Sequence, residues 1–473
     1  MSRPKKKKSE QTDTGKTVRI ACRYRAYPTD LQIHRMGNWL TSLCHLSNTA
    51  VAERKEAYRT TGKGLTYTAQ QNALPAKRKQ DPALRMVHSQ VCQDSLQRVD
   101  KAYQKFFDDL KKKKAGQKVT VGYPRFKRFD KYKSFTFPQV WMNVTDKKTE
   151  ITRQREIVKF SPLKPTKPNV RIKFAYITVP GIGALKIRLH RDIDWGSAKT
   201  VTVKRVASGD WYVSVSVEIP LKPSLSDNGK QTGVDVGLKK HAATSDGSYR
   251  GHPKFFRQSE AKLKKQQRSL AKKEKGSGNY KKQKAVLAKT HEHIANQRED
   301  FLHKLSLWLV VTYAYIAFEK LNISGMVQNP HLAKAILDAG WGTLIRFVTY
   351  KSVMLRGNST VTVNPAYTTQ DCSRCGYRVP KTLAERVHTC PRCGLTLCRD
   401  TNAARNIEHL AFGKSSNSEE NMSYTVGTVY PDLVSVTPER KPVETGASAA
   451  PALAVSPVVE ARKPRLNSHL TRG

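Results

Sequence analysis

The sequence predicts a multidomain α+β protein. A β-rich module is interrupted by a helical insert, and an α/β domain follows, carrying a small four-cysteine ribbon and ending in an unstructured tail. Three observations predict this. Apolar residues alternate singly over residues 18–28 and again between about 150 and 220, the two-residue period of strands. From Leu31 to about Leu110 the period is helical. Beyond residue 231 strands and helices alternate, and two CxxC pairs stand before the last helix.

Composition narrows the function. The chain has 473 residues, enough for about two to four domains with real cores. Its 85 Lys and Arg against 38 Asp and Glu give a net charge of +47. A chain so basic repels itself unless a polyanion neutralises it, so nucleic acid is the expected partner. The charge is spread along the chain rather than confined to one amphipathic helix, which argues against a membrane surface. No secretory signal is expected, because the basic start MSRPKKKKSE has no apolar core behind it. The longest apolar run, 307–318, is too short to span a bilayer and contains Thr312, Tyr313 and Tyr315. Cys22, Cys44 and Cys92 are scattered and read as buried or free thiols, so the cytosol is the expected compartment.

Taken in order, residues 1–15 are charged and expected to be disordered. A strand over 18–28 ends at Pro28, and Thr29 or Asp30 can cap the next helix. About three helices should follow. Leu31, Met36, Leu40, Leu43 and Leu46 share one stripe, and Val87, Val91, Leu96, Val99 and Tyr103 share another. The basic outer face of this insert could grip a duplex by shape or simply be solvated. Residues 123–139 interleave aromatics with Lys and Arg. Such a stretch can pair phosphates and stack bases, or form a strand pair with its rings turned inward. Two hairpins are expected between 150 and 220, turning at Gly181/Gly183 and at Ser208-Gly209-Asp210. With strand 18–28 they could close a small β-barrel.

Residues 221–231 read as a linker. Strands then flank a Ser245-Asp246-Gly247 turn, long basic helices fill 258–313 with a break near 275–279, and a short strand over 315–323 buries Ile316 and Phe318. Residues 332–357 are helical and 361–365 form a last strand. From about 413 onward the chain is rich in Ser, Pro, Glu and Ala without periodicity, the composition of a disordered tail.

Two sets of residues carry chemistry. Cys372/Cys375 and Cys390/Cys393 form two CxxC pairs separated by 14 residues. Two such knuckles make a tetrahedral thiolate site suited to structural Zn²⁺; four thiolates leave no open position for catalysis. A disulfide pair is the alternative, disfavoured in a reducing compartment. Cys398, just behind, could compete for the metal. The second set is acidic. Asp235 sits inside an apolar strand, Glu319 ends another strand, and Asp400 opens a helix, where the dipole favours an anion. Three carboxylates from separate segments can converge on two hard cations about 4 Å apart, Mg²⁺ or Mn²⁺ by ligand type, and support phosphodiester hydrolysis. Each has a plainer reading: a salt bridge at Asp235, a surface charge at Glu319, a helix cap at Asp400.

The segments GVDVGLKKHAATSDG, AFEKLNISGM, DAGW and CRDTNAARNI resemble the RuvC-like nuclease motifs of TnpB, the OrfB family of insertion-sequence proteins, with the four-cysteine ribbon before the third motif. Upstream, YPTDLQ, GKGLTY, SQVCQDSL and GYPRFK are similar to the same family, so the resemblance covers about residues 18–412. It implies an RNA-guided DNA endonuclease related to type V CRISPR effectors. Its partners would be a guide RNA and target DNA, both double- and single-stranded, in a prokaryotic cytoplasm at the nucleoid. It also implies a domain plan: disordered 1–15; wedge barrel 16–40 and 123–225; helical recognition lobe 41–122; RuvC/RNase H-like nuclease 226–371 and 395–412; zinc ribbon 372–394; disordered tail 413–473. Asp235, Glu319 and Asp400 match the family's catalytic positions. Gln93 and Gln139 match its motif-reading positions, with Arg125 and Lys127 beside them as nucleic-acid contacts. One departure stands out: the third motif often reads Asp-Arg-Asp, and here it is Cys398-Arg399-Asp400. The alternatives are an RNA-guided binder that does not cut, a compact CRISPR effector, and a transposase.

Overall fold

The structure, a computed structural model, describes residues 17–145, 152–163, 173–382 and 384–413. The disorder expected of 1–15 and of the tail from 414 to 473 lies outside the described residues. The chain divides into two compact units, Arg19–Ile219 and the part from Pro220 onward.

In the first unit, β1 (Thr17–Tyr27) leads into α1 (Asp30–Thr61). Thr29 caps that helix with a reciprocal Gln32 bond, the role its position predicted. Then come α2 (Tyr67–Gln80), α3 (Pro82–Arg85) and α4 (Ser89–Lys114), one helix more than expected, because Asp81-Pro82 starts a fresh short turn. Eight strands complete the unit: β2 (Ser134–Phe137), β3 (Trp141–Thr145), β4 (Thr152–Glu156), β5 (Lys159–Pro162), β6 (Lys173–Val179), β7 (Gly183–Leu189), β8 (Ala198–Arg205) and β9 (Trp211–Pro220). Seven strands make one sheet in the order β2-β8-β9-β1-β7-β6-β5.

The sheet is a half-barrel rather than the closed barrel expected. Among the described residues β2 and β5 remain its two edges; the separate β3–β4 hairpin bridges the two ends, its ladder continued by the Ile157 amide donating to the Val140 carbonyl at 2.8 Å. Helices occupy the concavity that closure would have filled. Met36, Trp39, Leu40 and Leu43 of α1 and Val91 and Leu96 of α4 share one core with Tyr24, Phe135, Ile177 and Val213 of the sheet. Leu31, placed on the stripe by periodicity, is 59% exposed in the first turn of α1. The stretch 123–139 divides: Tyr132, Phe135 and Phe137 turn inward and are buried, while Tyr123, Phe126 and Phe129 lie exposed.

The second unit opens with β10 (Gln231–Asp235), β11 (Lys240–Thr244) and β12 (Tyr249–Gly251). A helical hairpin follows, α5 (Phe255–Ala271) and α6 (Gly278–Thr312), and then β13 (Tyr315–Glu319). Next are α7 (Ile323–Met326), α8 (Pro330–Ala339), α9 (Trp341–Arg356) and β14 (Val361–Val363). The single helix expected over 332–357 is two, because Gly340 takes φ 68° and ends the first. The ribbon contributes β15 (Val387–Thr389) and β16 (Thr396–Cys398), and α10 (Arg399–Phe412) completes the unit.

Its mixed sheet runs β12-β11-β10-β13-β14, with β10, β13 and β14 parallel. Strand alternation gives it two faces. Val234, Ile316 and Phe318 pack with Leu302, Leu309 and Leu344 of α6 and α9. Ala317 and Val363 pack on the other face with Ile407 of α10. Gly233 shares that second face. A Cβ built there would stand 2.0 Å from the Ala404 carbonyl oxygen, so α10 lies backbone-to-backbone on β10.

Candidate functional site

The strand register and α10 bring the three acids to one end of this face. Val234 pairs with Phe318 in the parallel register, so Asp235 and Glu319 come next on neighbouring strands, at their C-terminal ends. Each lies two residues beyond a residue of the α10 face, Gly233 or Ala317, so both carboxyls rise on that face. Helix α10 crosses Gly233 at Ala404 and Glu408. Four residues back toward its N-terminus, about 6 Å by helical rise, stands Asp400; two residues along β10, a nearly equal distance of about 6.6 Å, stands Asp235. The helix thus delivers Asp400 to the strand ends.

Electrostatics agree with this placement. Burial, then the charges of Glu319 and Asp400, push the Asp235 carboxyl up to about 8; Arg399 and Lys240 offset only part of this. Burial likewise raises Glu319, partly countered by the Thr368 hydroxyl, which donates to Glu319 Oε1. Asp400 Oδ1 accepts from Arg399 Nη2 at 3.3 Å. Among the described residues neither Asp235 nor Glu319 has an ion-pair partner within 4.0 Å, so no described lysine or arginine forms the salt bridge that was the plainer reading of Asp235. Among the described residues the oxygens of the three acids are not all within 4.8 Å of one another, a spacing that only the four ribbon thiols meet. Ligands on opposite sides of an ion pair about 4 Å apart need not meet it. A group of carboxyls in which burial, and then the neighbouring acids, hold one of them protonated near neutrality fits hard divalent cations.

The ribbon holds the second candidate site. Cys372 and Cys393 sulfurs are 3.6 Å apart, as are those of Cys375 and Cys390. All four thiols lie within 4.8 Å of one another, and the set could hold zinc. Cys398 stays outside it. Its Sγ accepts from Lys240 Nζ at 3.0 Å, tying β11 to the residue that precedes α10. Two asparagines on α10 clamp the start of the ribbon: Asn402 Nδ2 donates to the Asp371 carbonyl at 2.7 Å, and Asn406 Nδ2 to the carbonyls of Thr368 at 2.8 Å and Asp371 at 2.6 Å. Arg399 Nη1 also donates to the Glu385 carbonyl, so the same guanidinium touches ribbon and acid. Sequence reasoning missed Thr368, Asn402, Asn406, Lys240 and Gly233. Polar residues at i and i+4 of the NAARN helix were the available signal for the asparagines.

The remaining candidates lie in the first unit. Gln93 is half-buried on α4, and Gln139 is exposed after β2, where its Oε1 accepts from Gln90, not Gln93, at 3.4 Å. Arg125 and Lys127 are exposed, and the Lys127 backbone is pinned by Asn48.

Comparison with known proteins covers both halves of the site. The OrfB family profile of insertion-sequence proteins, described as "Probable transposase", matches residues 214–330, which include Asp235 and Glu319. A Cas12f1-like TNB-domain profile matches 341–407, which include the four cysteines and Asp400. InsQ of Escherichia coli (strain K12), named as an RNA-guided DNA endonuclease, is 30% identical over 335 residues, 67% of this chain and 73% of its own. A Streptomyces pristinaespiralis protein of the same designation is 30% identical over 406 residues, 85% of this chain and 91% of its own. Cas12f1 in a cryo-EM complex with sgRNA and target DNA superposes with a TM-score of 0.49 at 14% identity, covering 80% of this chain and 82% of that one. Among the described residues no helix is long and apolar enough to cross a membrane.

Proposed function

This chain belongs to the OrfB (TnpB) family, and on that premise we propose that it is an RNA-guided DNA endonuclease whose cutting site is Asp235, Glu319 and Asp400. The observation that carries the reading is the delivery of Asp400 by α10 to the ends of two parallel strands that each present an acid. The second unit is then the RuvC/RNase H-like nuclease with its ribbon. The half-barrel and the helices of the first unit are the wedge and recognition parts. Mg²⁺ or Mn²⁺, when bound, supplies a water activated for attack and positive charge at the scissile phosphate.

The residues of this chain do the rest. Asp235 and Glu319 hold cation ligands at fixed positions because their strands are locked in register. Asp400 adds a third from a helix start, where Arg399 restrains its carboxylate. Cys372, Cys375, Cys390 and Cys393 hold structural Zn²⁺ and keep the ribbon folded beside the acids. The basic surface takes the guide RNA and the DNA target along their phosphates. Gln93 and Gln139 are candidates for reading base edges next to the target, since glutamine suits adenine in the major groove. Arg125 and Lys127 are candidates for phosphate contacts. A protein of this kind would work in the cytoplasm, at the nucleoid.

The test is cleavage of a matched duplex by the purified ribonucleoprotein with Mg²⁺. Wild-type protein should cut. Asp235→Ala should bind the same target and leave it whole. Cutting by the variant would remove Asp235 from the site, and an intact target with wild-type protein would favour a binder that does not cleave.

A further inference from the structure

The link between ribbon and acids runs through one buried hydroxyl. Thr368 is 3% exposed and lies four residues before Cys372. Its Oγ1 donates to Glu319 Oε1 and stands 3.3 Å from the Pro365 carbonyl. Its own carbonyl accepts from Asn406 of α10. Immediately before it, Tyr367 takes φ 62°, a left-handed conformation unusual for a bulky side chain. The surroundings hold it there. The Asp371 amide donates to the Tyr367 carbonyl at 2.9 Å, and the Arg378 guanidinium covers the Tyr367 ring at 3.5 Å while pairing with Asp371 at 2.8 Å. Strained backbone kept in place by such contacts is a common companion of functional sites. Here it belongs to the turn that carries Thr368 to Glu319.

We propose that Thr368 is a positioning residue for Glu319: its hydroxyl fixes the carboxylate in the orientation that holds a divalent cation, and its backbone anchors that restraint to α10 and the base of the ribbon. This rests on the nuclease reading. Among the described residues the Glu319 carboxylate has no other hydrogen bond or ion pair, and a carboxylate free to turn binds an ion less tightly than one held by an outer hydrogen bond. Because Asn406 grips the carbonyl and not the hydroxyl of Thr368, a valine at 368 removes the restraint and leaves the clamp.

The experiment compares wild type, Thr368→Val, Thr368→Ser and Asp235→Ala as full chains. Bound Mn²⁺ is titrated by electron paramagnetic resonance on RNA-free protein, zinc is measured by elemental analysis, and the Mg²⁺ dependence of cleavage is measured on the ribonucleoprotein. Thr368→Val should weaken Mn²⁺ binding about tenfold and raise the half-saturating Mg²⁺ similarly, with zinc content unchanged. Thr368→Ser, which keeps the hydroxyl, should stay near wild type. Wild-type Mn²⁺ binding in Thr368→Val overturns the proposal. So does Thr368→Ser as weak as the valine variant, or loss of zinc from Thr368→Val, which would place the hydroxyl in ribbon stability instead. Failure of the parent reading is separate: it shows as unaltered Mn²⁺ binding or cleavage in Asp235→Ala.

Discussion

Gly233 and His241 show how single residues constrain this unit beyond the acids themselves. Gly233 is needed because the α10 backbone occupies the space a Cβ would take, within 2.0 Å of Ala404 O and 2.5 Å of Glu408 N. Backbone cannot yield as a side-chain tip can. Gly233→Ala should therefore destabilise the second unit by roughly 3 kcal/mol or more, as severe overpacking does; thermal unfolding of the variant measures it, and an unchanged midpoint would contradict the packing. His241 is fully buried on β11 beside His252, with ring centroids 5.2 Å apart. Burial, then the His252 charge, lowers its pKa to about 3. The unfolded chain binds that proton near the ordinary histidine value of about 6.5. Between these two values the unfolded state holds more protons, so stability is full above pH 6.5 and falls as pH drops toward 3. The loss should be on the order of 5 kcal/mol, and His241→Phe should flatten the acid limb of a denaturation series.

Among the elements, the ribbon and α10 act together. Among the described residues the ribbon's two short hairpin strands, β15 and β16, belong to no apolar cluster, so a metal bound by the four thiols would supply their folding free energy. Cys375→Ser should lose zinc by elemental analysis and loosen the segment 372–398. Because Arg399, Asn402 and Asn406 of α10 bind ribbon carbonyls, cleavage should fall with the zinc. Full zinc content in the variant would refute the four-thiolate site. The helix itself is amphipathic in an uncommon sense. One face offers alanines, Ala403 and Ala404, small enough for close approach to β10, and another offers the asparagines that hold the ribbon. Small residues on a helix face mean close backbone packing, and here that packing sets where Asp400 stands.

For the whole molecule, charge dominates. A net +47 makes association with RNA depend on release of counterions. Raising salt from about 50 to 200 mM should weaken guide binding by about a thousandfold or more in a filter-binding assay. A flat salt response would mean that the basic residues are a solvated surface and not a phosphate track.

The sequence alone determined the candidate ligand sets and the order of most elements. CxxC spacing is local, and local geometry follows from it. An acid inside the apolar run Gly233-Val234-Asp235 is legible because burying charge is costly and therefore marks a purpose. The strand period placed β1 within a residue of where it lies; β13 begins at Tyr315 as expected but ends at Glu319 rather than at 323. Tertiary structure alone decided the rest. That the β module stays open depends on α1 and α4 filling its concavity, a contact between segments far apart in the chain. That Thr368 meets Glu319 and that Lys240 reaches Cys398 likewise depends on how strands, turn and helix stack. Periodicity reports which face of an element is buried; it carries no information on which distant residue waits on the other side.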